Sequence, residues 1–133
     1  MTLRTAACSC GQLTIACEGE PVRISICHCT ECQRRTGAPF GAQTRWPRAK
    51  AKISGKSSAY VRTADSGHKV TSHFCPACGS TLYWLMDSAP DLVVVALGGF
   101  ADPAIAPPNH SVWERHRHEW VTRLADLPVE HLT

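Results

Sequence analysis

The sequence predicts a mainly β fold, and three observations lead to this prediction. Apolar and polar residues alternate with a period of two wherever a pattern can be read, which is typical of strands. The alternating runs are short and are bounded by Gly, Pro, Asp or Asn, and only one short stretch carries helical signals. The chain of 133 residues has the size of a single domain spanning residues 1–133.

The first two predicted strands lie on either side of the turn Gly19-Glu20-Pro21. Because successive side chains of a strand point to opposite faces, the apolar residues of each run share one face. These residues are Leu13, Ile15 and Cys17 before the turn, and Val22, Ile24 and Ile26 after it. Five later runs repeat the pattern: Ser58 to Arg62, Lys69 to Phe74, Thr81 to Met86, Leu92 to Leu97 and Ser111 to Arg115.

One short helix is predicted from Thr30 to Arg35. Thr30 is a residue type that caps helix N-termini, and Gly37 is a typical helix stop because glycine readily takes the left-handed conformation. Between the strands, a core is predicted from the aromatic residues Phe40, Trp46, Tyr60, Phe74, Tyr83, Trp84 and Phe100.

Seven of the eight cysteines lie in three clusters. The clusters are Cys8-Ser9-Cys10, Cys27-His28-Cys29-Thr30-Glu31-Cys32 and Cys75-Pro76-Ala77-Cys78. Two residues between thiols is the spacing at which a turn aims both sulfurs at one metal ion, and structural zinc sites usually take two such close pairs from distant sequence. The two outer pairs therefore predict a four-thiolate structural zinc that clips the ends of the sheet system together.

The middle cluster offers three sulfurs, those of Cys27, Cys29 and Cys32. Three protein ligands with an open fourth position are typical of a metal that meets a substrate. His28 is a poor fourth ligand, because in an extended segment it points away from its two cysteine neighbours. The sequence leaves the fourth position open among Cys17, His68, His73 and water.

A centre of three thiolates favours another sulfur over the activation of water, so the predicted ligand of the second zinc is a small thiol. The completed centre is anionic and needs nearby cations, for which Arg34, Arg35 and Arg45 are the substrate-binding candidates. The alternative is that these arginines are solvated surface residues. His28 and His73 are the catalytic candidates for moving a proton, with the alternative for His28 of a packed or solvated histidine.

Three more histidines, His110, His116 and His118, lie near the C-terminus. Without a carboxylate or thiol partner, they indicate an exposed polar face rather than another metal site.

Charge and composition argue against several other classes of protein. The formal charge of +3 counts every thiol as neutral, whereas two zinc–thiolate centres would bring the loaded chain near neutrality, which removes the electrostatic case for nucleic acid. No apolar stretch approaches the roughly 20 residues that span a bilayer, and the first residues lack a signal-peptide core.

Cysteine makes up 8 of 133 residues, which is less than in small secreted disulfide scaffolds. The expectation is a cytoplasmic metal protein.

Several motifs together resemble one known family. They are Cys8-x-Cys10-Gly11, Cys27-His28-Cys29-x-x-Cys32, Thr36-Gly37-Ala38-Pro39-Phe40 and Phe74-Cys75-x-x-Cys78-Gly79-Ser80-x-Leu82, with weaker matches at Asp102-Pro103, His110, Trp120 and Leu127-Pro128. This arrangement resembles the glutathione-dependent formaldehyde-activating enzyme family, also called the GFA or centromere-protein-V-type family.

The resemblance implies a tent-like fold of packed antiparallel sheets and two zinc ions. The structural zinc would fall on Cys8, Cys10, Cys75 and Cys78, and the second zinc on Cys27, Cys29 and Cys32. The implied activity is a carbon–sulfur lyase or synthase step that joins glutathione and formaldehyde to give S-hydroxymethylglutathione. The competing hypothesis is a non-catalytic, zinc-stabilised binding module in which both sites are structural or the second is a dock for a metal or a small carrier molecule.

Overall fold

The computed structural model describes residues 2–133 and confirms the mainly β prediction. The strands in this part of the chain are β1 (Leu3–Ala7), β2 (Thr14–Glu18), β3 (Arg23–Cys27), β4 (Gly41–Pro47), β5 (Ala51–Ser54), β6 (Ser58–Thr63), β7 (Lys69–Phe74), β8 (Thr81–Met86), β9 (Leu92–Ala96) and β10 (His110–Val112). The α-helix is α1 (Thr30–Thr36), and 3₁₀ segments lie at Arg48–Lys50, Leu97–Phe100, Glu114–His116 and Glu119–Asp126. No helix within residues 2–133 is both long enough and apolar enough to cross a membrane.

The strands form two sheets. A three-stranded sheet has the order β1-β2-β5, and a seven-stranded sheet has the order β10-β3-β4-β9-β8-β7-β6. All neighbours pair antiparallel except β10, which runs parallel to β3. The predicted turn at Gly19-Glu20-Pro21 carries the chain from the small sheet into the large one.

The main core lies between the two sheets. Leu13, Ile15 and Cys17 have no exposed surface, which confirms the shared face predicted before the first turn. They pack in one cluster with large-sheet residues such as Trp46 and Tyr83. The small sheet therefore covers one face of the large sheet, and burial of this apolar surface is the main stabilising contribution to the fold.

The other face of the large sheet carries a second, smaller cluster. Along β9, Val93 and Val95 belong to the main core, while Val94 between them packs with Val70 and Trp84 on the opposite side. Both faces of β9 are thus buried, which explains its uninterrupted apolar sequence.

Several predictions about the strands need correction. Tyr60 is not a core residue but is 62% exposed, because β6 is the edge strand of the large sheet. Val22 is also exposed, because β3 begins one residue after it. The strand predicted from Ser111 to Arg115 is His110–Val112, and it ends where Trp113 takes a left-handed backbone conformation with φ of 57°.

The other predicted aromatic core residues lie in or beside the core. Four are buried, namely Trp46, Tyr83, Trp84 and Phe100. Two are partly buried, namely Phe40 and Phe74. Strands β1, β4 and β5 lie outside the predicted runs. In β4 the reason is that Gln43 and Thr44 are buried polar residues, which hides the alternation of the strand.

Candidate functional site

The four outer cysteines, Cys8, Cys10, Cys75 and Cys78, come together with their sulfur atoms within 4.8 Å of one another. Neighbouring sulfurs lie 3.7 Å apart between Cys8 and Cys10 and 3.6 Å apart between Cys10 and Cys75. Sulfurs at the corners of a tetrahedron with metal–sulfur bonds of about 2.3 Å lie about 3.8 Å apart, whereas a disulfide needs about 2.05 Å. The cluster therefore has the dimensions of a four-thiolate metal site.

This cluster links the two sheets. Cys8 and Cys10 follow β1 of the small sheet, and Cys75 and Cys78 lie between β7 and β8 of the large sheet. A metal ion held here would clip the two layers to each other at one end. The sequence predicted that this site would clip the ends of one sheet system together. In the structure the site instead joins two separate sheets.

Polar neighbours stabilise the sulfurs of this cluster. Gln12 Nε2 donates to Cys75 Sγ at 2.9 Å and to the Lys56 carbonyl at 2.7 Å. Hydrogen bonds with the Ser80 side chain, whose Oγ lies 3.4 Å from Cys78 Sγ, and with the backbone of Ser80 and Cys10 lower the pKa of that thiol to about 5. Donors to sulfur favour the thiolate, which is the form that binds metal. The role of Gln12 has no signal in the sequence, because it follows from a contact between residues 63 positions apart.

The second cluster comprises Cys27, Cys29 and Cys32, whose sulfurs also lie within 4.8 Å of one another. Cys27 ends β3, and Cys32 lies in the first turn of α1. The N-cap of α1 is Cys29 rather than the predicted Thr30, because Cys29 Sγ accepts a hydrogen bond from the Cys32 backbone N–H at 3.3 Å. The helix ends at Gly37, which has a φ of 70° as predicted.

Gly41 lets β4 lie close to this cluster. It pairs with Cys27 in the β3–β4 register. A Cβ atom at this position would lie 2.8 Å from Arg35 Nη2 and 3.4 Å from Cys32 Cβ. A side chain here would therefore displace the arginine that lies beside Cys32.

The electrostatic surroundings favour a thiolate at Cys32. The hydrogen bond from Cys27 is the main cause, and the positive charge of Arg35 adds to it, so that the pKa of Cys32 falls to about 5. The same hydrogen bond, together with burial, raises the pKa of Cys27. The Arg35 guanidinium lies 4.1 Å from the centre of the Trp84 ring, a cation–π contact that holds it in place.

A cavity of about 540 Å³ opens onto the three sulfurs. Its charged lining is mainly basic and includes Arg23, Arg45, Arg62 and Arg115, with Glu31 and Asp65 as the carboxylates. A second cavity of about 290 Å³ shares Cys32, Arg62 and Trp84 with the first. The cluster therefore faces an open, positively charged volume that is large enough for a small anionic ligand.

The predicted arginines all line one of these cavities. Arg45 lines the large cavity, and Arg34 and Arg35 line the small one. The Arg34 side chain is 79% exposed and lies 3.9 Å from Glu31, so it is a rim residue. Arg23, Arg62 and Arg115 were not among the candidates, although the period-two pattern places Arg23 on the same face of β3 as Cys27.

The catalytic candidates His28 and His73 do not line either cavity. His28 is buried, with Nε2 at 3.1 Å from Ser111 Oγ, and burial lowers its pKa. His73 stacks on Tyr83 with ring centres 4.6 Å apart. The imidazoles that line the large cavity belong to His68 and His116.

Of the residues proposed for the fourth ligand position, Cys17 lies in the main core, where burial raises its pKa to about 12. His68 is on the wall of the large cavity. In the described part of the chain, no His, Cys, Asp or Glu ligand atom lies within 4.8 Å of all three sulfurs of the second cluster. The C-terminal group His110, His116 and His118 likewise forms no cluster with metal-ligand spacing there.

Comparison with known proteins gives a family and a fold. A family model described as "Glutathione-dependent formaldehyde-activating enzyme" matches residues 3–116. A crystal structure of a Rhodobacter sphaeroides protein, a target of the Northeast Structural Genomics effort, superposes with a TM-score of 0.58 and 18% identity, covering 77% of this chain and 91% of that chain. At this identity the likeness shows a shared fold alone. No curated protein matches the chain.

Proposed function

This chain belongs to the glutathione-dependent formaldehyde-activating enzyme family, and from that membership we propose a zinc-dependent carbon–sulfur lyase or synthase. Its substrate would be glutathione or a related thiol together with formaldehyde or a small carbonyl compound. The observation that carries the proposal is a cluster of three sulfurs that no fourth His, Cys, Asp or Glu ligand joins within residues 2–133, facing a basic cavity of about 540 Å³. We place the activity in the cytoplasm and in a single domain.

The proposed metal ligands are the residues of the two cysteine clusters. Cys8, Cys10, Cys75 and Cys78 would hold a structural zinc, and Cys27, Cys29 and Cys32 a second zinc. Zinc at the second cluster would supply an open Lewis-acidic position at which an incoming thiol is held as a thiolate. The sulfur-only donor sets of both clusters suit zinc better than harder cations such as magnesium or calcium.

The neighbouring residues would offset the charge of this centre. Three thiolates around a divalent cation are anionic, and a fourth thiolate adds another negative charge. Arg35 lies beside Cys32, and its charge adds to the hydrogen bond from Cys27 in lowering the pKa of Cys32, which is the direction that a metal ligand needs. Arg34 and Arg45 are the other proposed substrate-binding residues, since guanidinium groups bind carboxylates such as those of glutathione.

The reaction requires one proton to change place. In the forward direction the thiol gives up its proton, its sulfur forms a bond to the carbonyl carbon, and the carbonyl oxygen takes up a proton to become the hydroxyl of the adduct. The reverse reaction breaks the carbon–sulfur bond. His68 and His116 line the large cavity and are better placed to hold that proton than His28 or His73.

The proposal is tested by metal analysis followed by cobalt substitution and glutathione titration. A change in the sulfur-to-cobalt absorption bands on adding glutathione would support thiol binding at the second cluster. Unchanged bands at millimolar glutathione would favour the non-catalytic binding module. Because the adduct also forms spontaneously, the exchange of formaldehyde with glutathione has to be measured with and without protein, and equal rates would refute catalysis.

A further inference from the structure

Two arginines lie directly opposite each other on the floor of the large cavity. Arg23 on β3 and Arg45 on β4 are register partners, and both line the cavity. Like charges directly opposite on neighbouring strands repel each other. Burial and the charge of Arg23 accordingly lower the pKa of Arg45.

Within the described residues, the two arginines lie in the same cavity as Glu31 and Asp65 but form no close contact with a carboxylate. Among residues 2–133, neither guanidinium forms an ion pair with a carboxylate. The Nε atoms of both arginines are buried without a hydrogen-bond partner. Buried donors of this kind are costly unless something accepts from them, so the arrangement lacks an acceptor that fits between the two side chains.

The row of unpartnered groups continues toward the cysteine cluster. Ser25 and Gln43 form the next register pair on the same face, and their Oγ and Oε1 atoms are also buried without partners. The pair after that is Cys27 and Gly41. Polar groups therefore lead along β3 and β4 from the two guanidiniums to the three sulfurs.

We infer that Arg23 and Arg45 form an oxyanion-binding site, which takes an acidic group carried by the same molecule whose sulfur meets the cysteine cluster. Arg23 lies four residues from Cys27 along β3, which at about 3.3 Å per residue is about 13 Å between backbones. This span is comparable to the length of a small extended peptide. The site thus selects thiols with a distant acidic group over short neutral thiols. The thiol part of this inference rests on the proposed function.

The group that binds the two arginines is an oxyanion, which is either a carboxylate or a phosphate. The test distinguishes between these two. Thermal unfolding is measured for the metal-loaded protein with increasing succinate or inorganic phosphate. The variants are Arg45→Gln and, as a control with the same change in charge, Lys52→Gln in the exposed part of β5. We expect one of the anions to raise the melting temperature of the wild type and of Lys52→Gln. In Arg45→Gln the same rise should require at least a tenfold higher anion concentration. The anion active at the lower concentration identifies the group.

A second arm uses the cobalt-substituted protein with glutathione and its diethyl ester. The wild type should prefer glutathione over the ester by about tenfold, and Arg45→Gln should remove most of that preference. An equal preference in the two proteins, together with no anion effect on unfolding, overturns the inference while leaving thiol binding intact.

A different combination of results would reject the proposed thiol chemistry but keep the oxyanion site. If no thiol changes the cobalt bands but an anion stabilises the wild type and not Arg45→Gln, the proposed thiol chemistry fails and the oxyanion site stands. Circular dichroism of Arg45→Gln establishes that the variant is folded, and Arg23→Gln serves as an independent replacement if it is not.

Discussion

Replacement of Cys75 by alanine should unfold this protein rather than only weaken it. Cys75 has no exposed surface, and its sulfur lies 3.6 Å from that of Cys10, across the boundary between the two sheets. Structural zinc contributes about 10–16 kcal/mol of apparent binding free energy, and whole domains have about 5–15 kcal/mol of stability. The loss of one of four thiolates thus removes a contribution comparable to the free energy of unfolding.

The matched control is Cys17→Ala. Cys17 is equally buried and undergoes the same chemical change, but it packs in the apolar core and belongs to neither cysteine cluster. Removal of its sulfur should cost about 1 kcal/mol, equal to a fall in melting temperature of about 3–5 °C for a chain of this size.

The assay is thermal unfolding followed by circular dichroism, with the zinc content of each variant measured in parallel. Cys75→Ala should show no cooperative transition, or one at least about 20 °C below the wild type, and a chelator should have the same effect on the wild type. If Cys75→Ala melts within a few degrees of Cys17→Ala while zinc is lost, the four-cysteine cluster does not hold the fold together.

Three other changes test the second cluster and the fold. Cys29→Ser should abolish the glutathione-dependent change in the cobalt spectrum but shift the melting temperature by less than about 5 °C, because serine can still cap α1; joint loss of folding would contradict this. Gly41→Ala should weaken glutathione binding several-fold in a titration, since the added methyl group meets Arg35 at 2.8 Å, while Gly98→Ala, with nothing within 4 Å, should not. Tyr60→Ser should change the free energy of unfolding by less than about 1 kcal/mol in urea titration, because Tyr60 is 62% exposed; a larger loss would place it in a core.

Much of the secondary structure could be predicted because it depends on local patterns. The shared face of Leu13, Ile15 and Cys17 is a local alternation, and Gly37 ends α1 through its own backbone freedom. One error, at the start of α1, arose where another interaction replaced the usual one. Cys29 caps α1 because its sulfur accepts the hydrogen bond that a threonine hydroxyl would normally accept.

The cysteine spacing by itself predicted the grouping within each short cluster, because close thiols in a short turn cannot lie far apart, whereas the contact of Cys8 and Cys10 with Cys75 and Cys78 depends on how the two sheets pack. The sequence alone also determined the family, since the motifs extend along most of the chain. The tertiary structure decided which charged groups face the second cluster. Arg23 and Arg45 are 22 positions apart and become neighbours only through the register of β3 and β4, and Arg62 reaches the same cavity from an edge strand. Strand register depends on packing between distant segments, so no local pattern could have brought these three guanidiniums to one cavity.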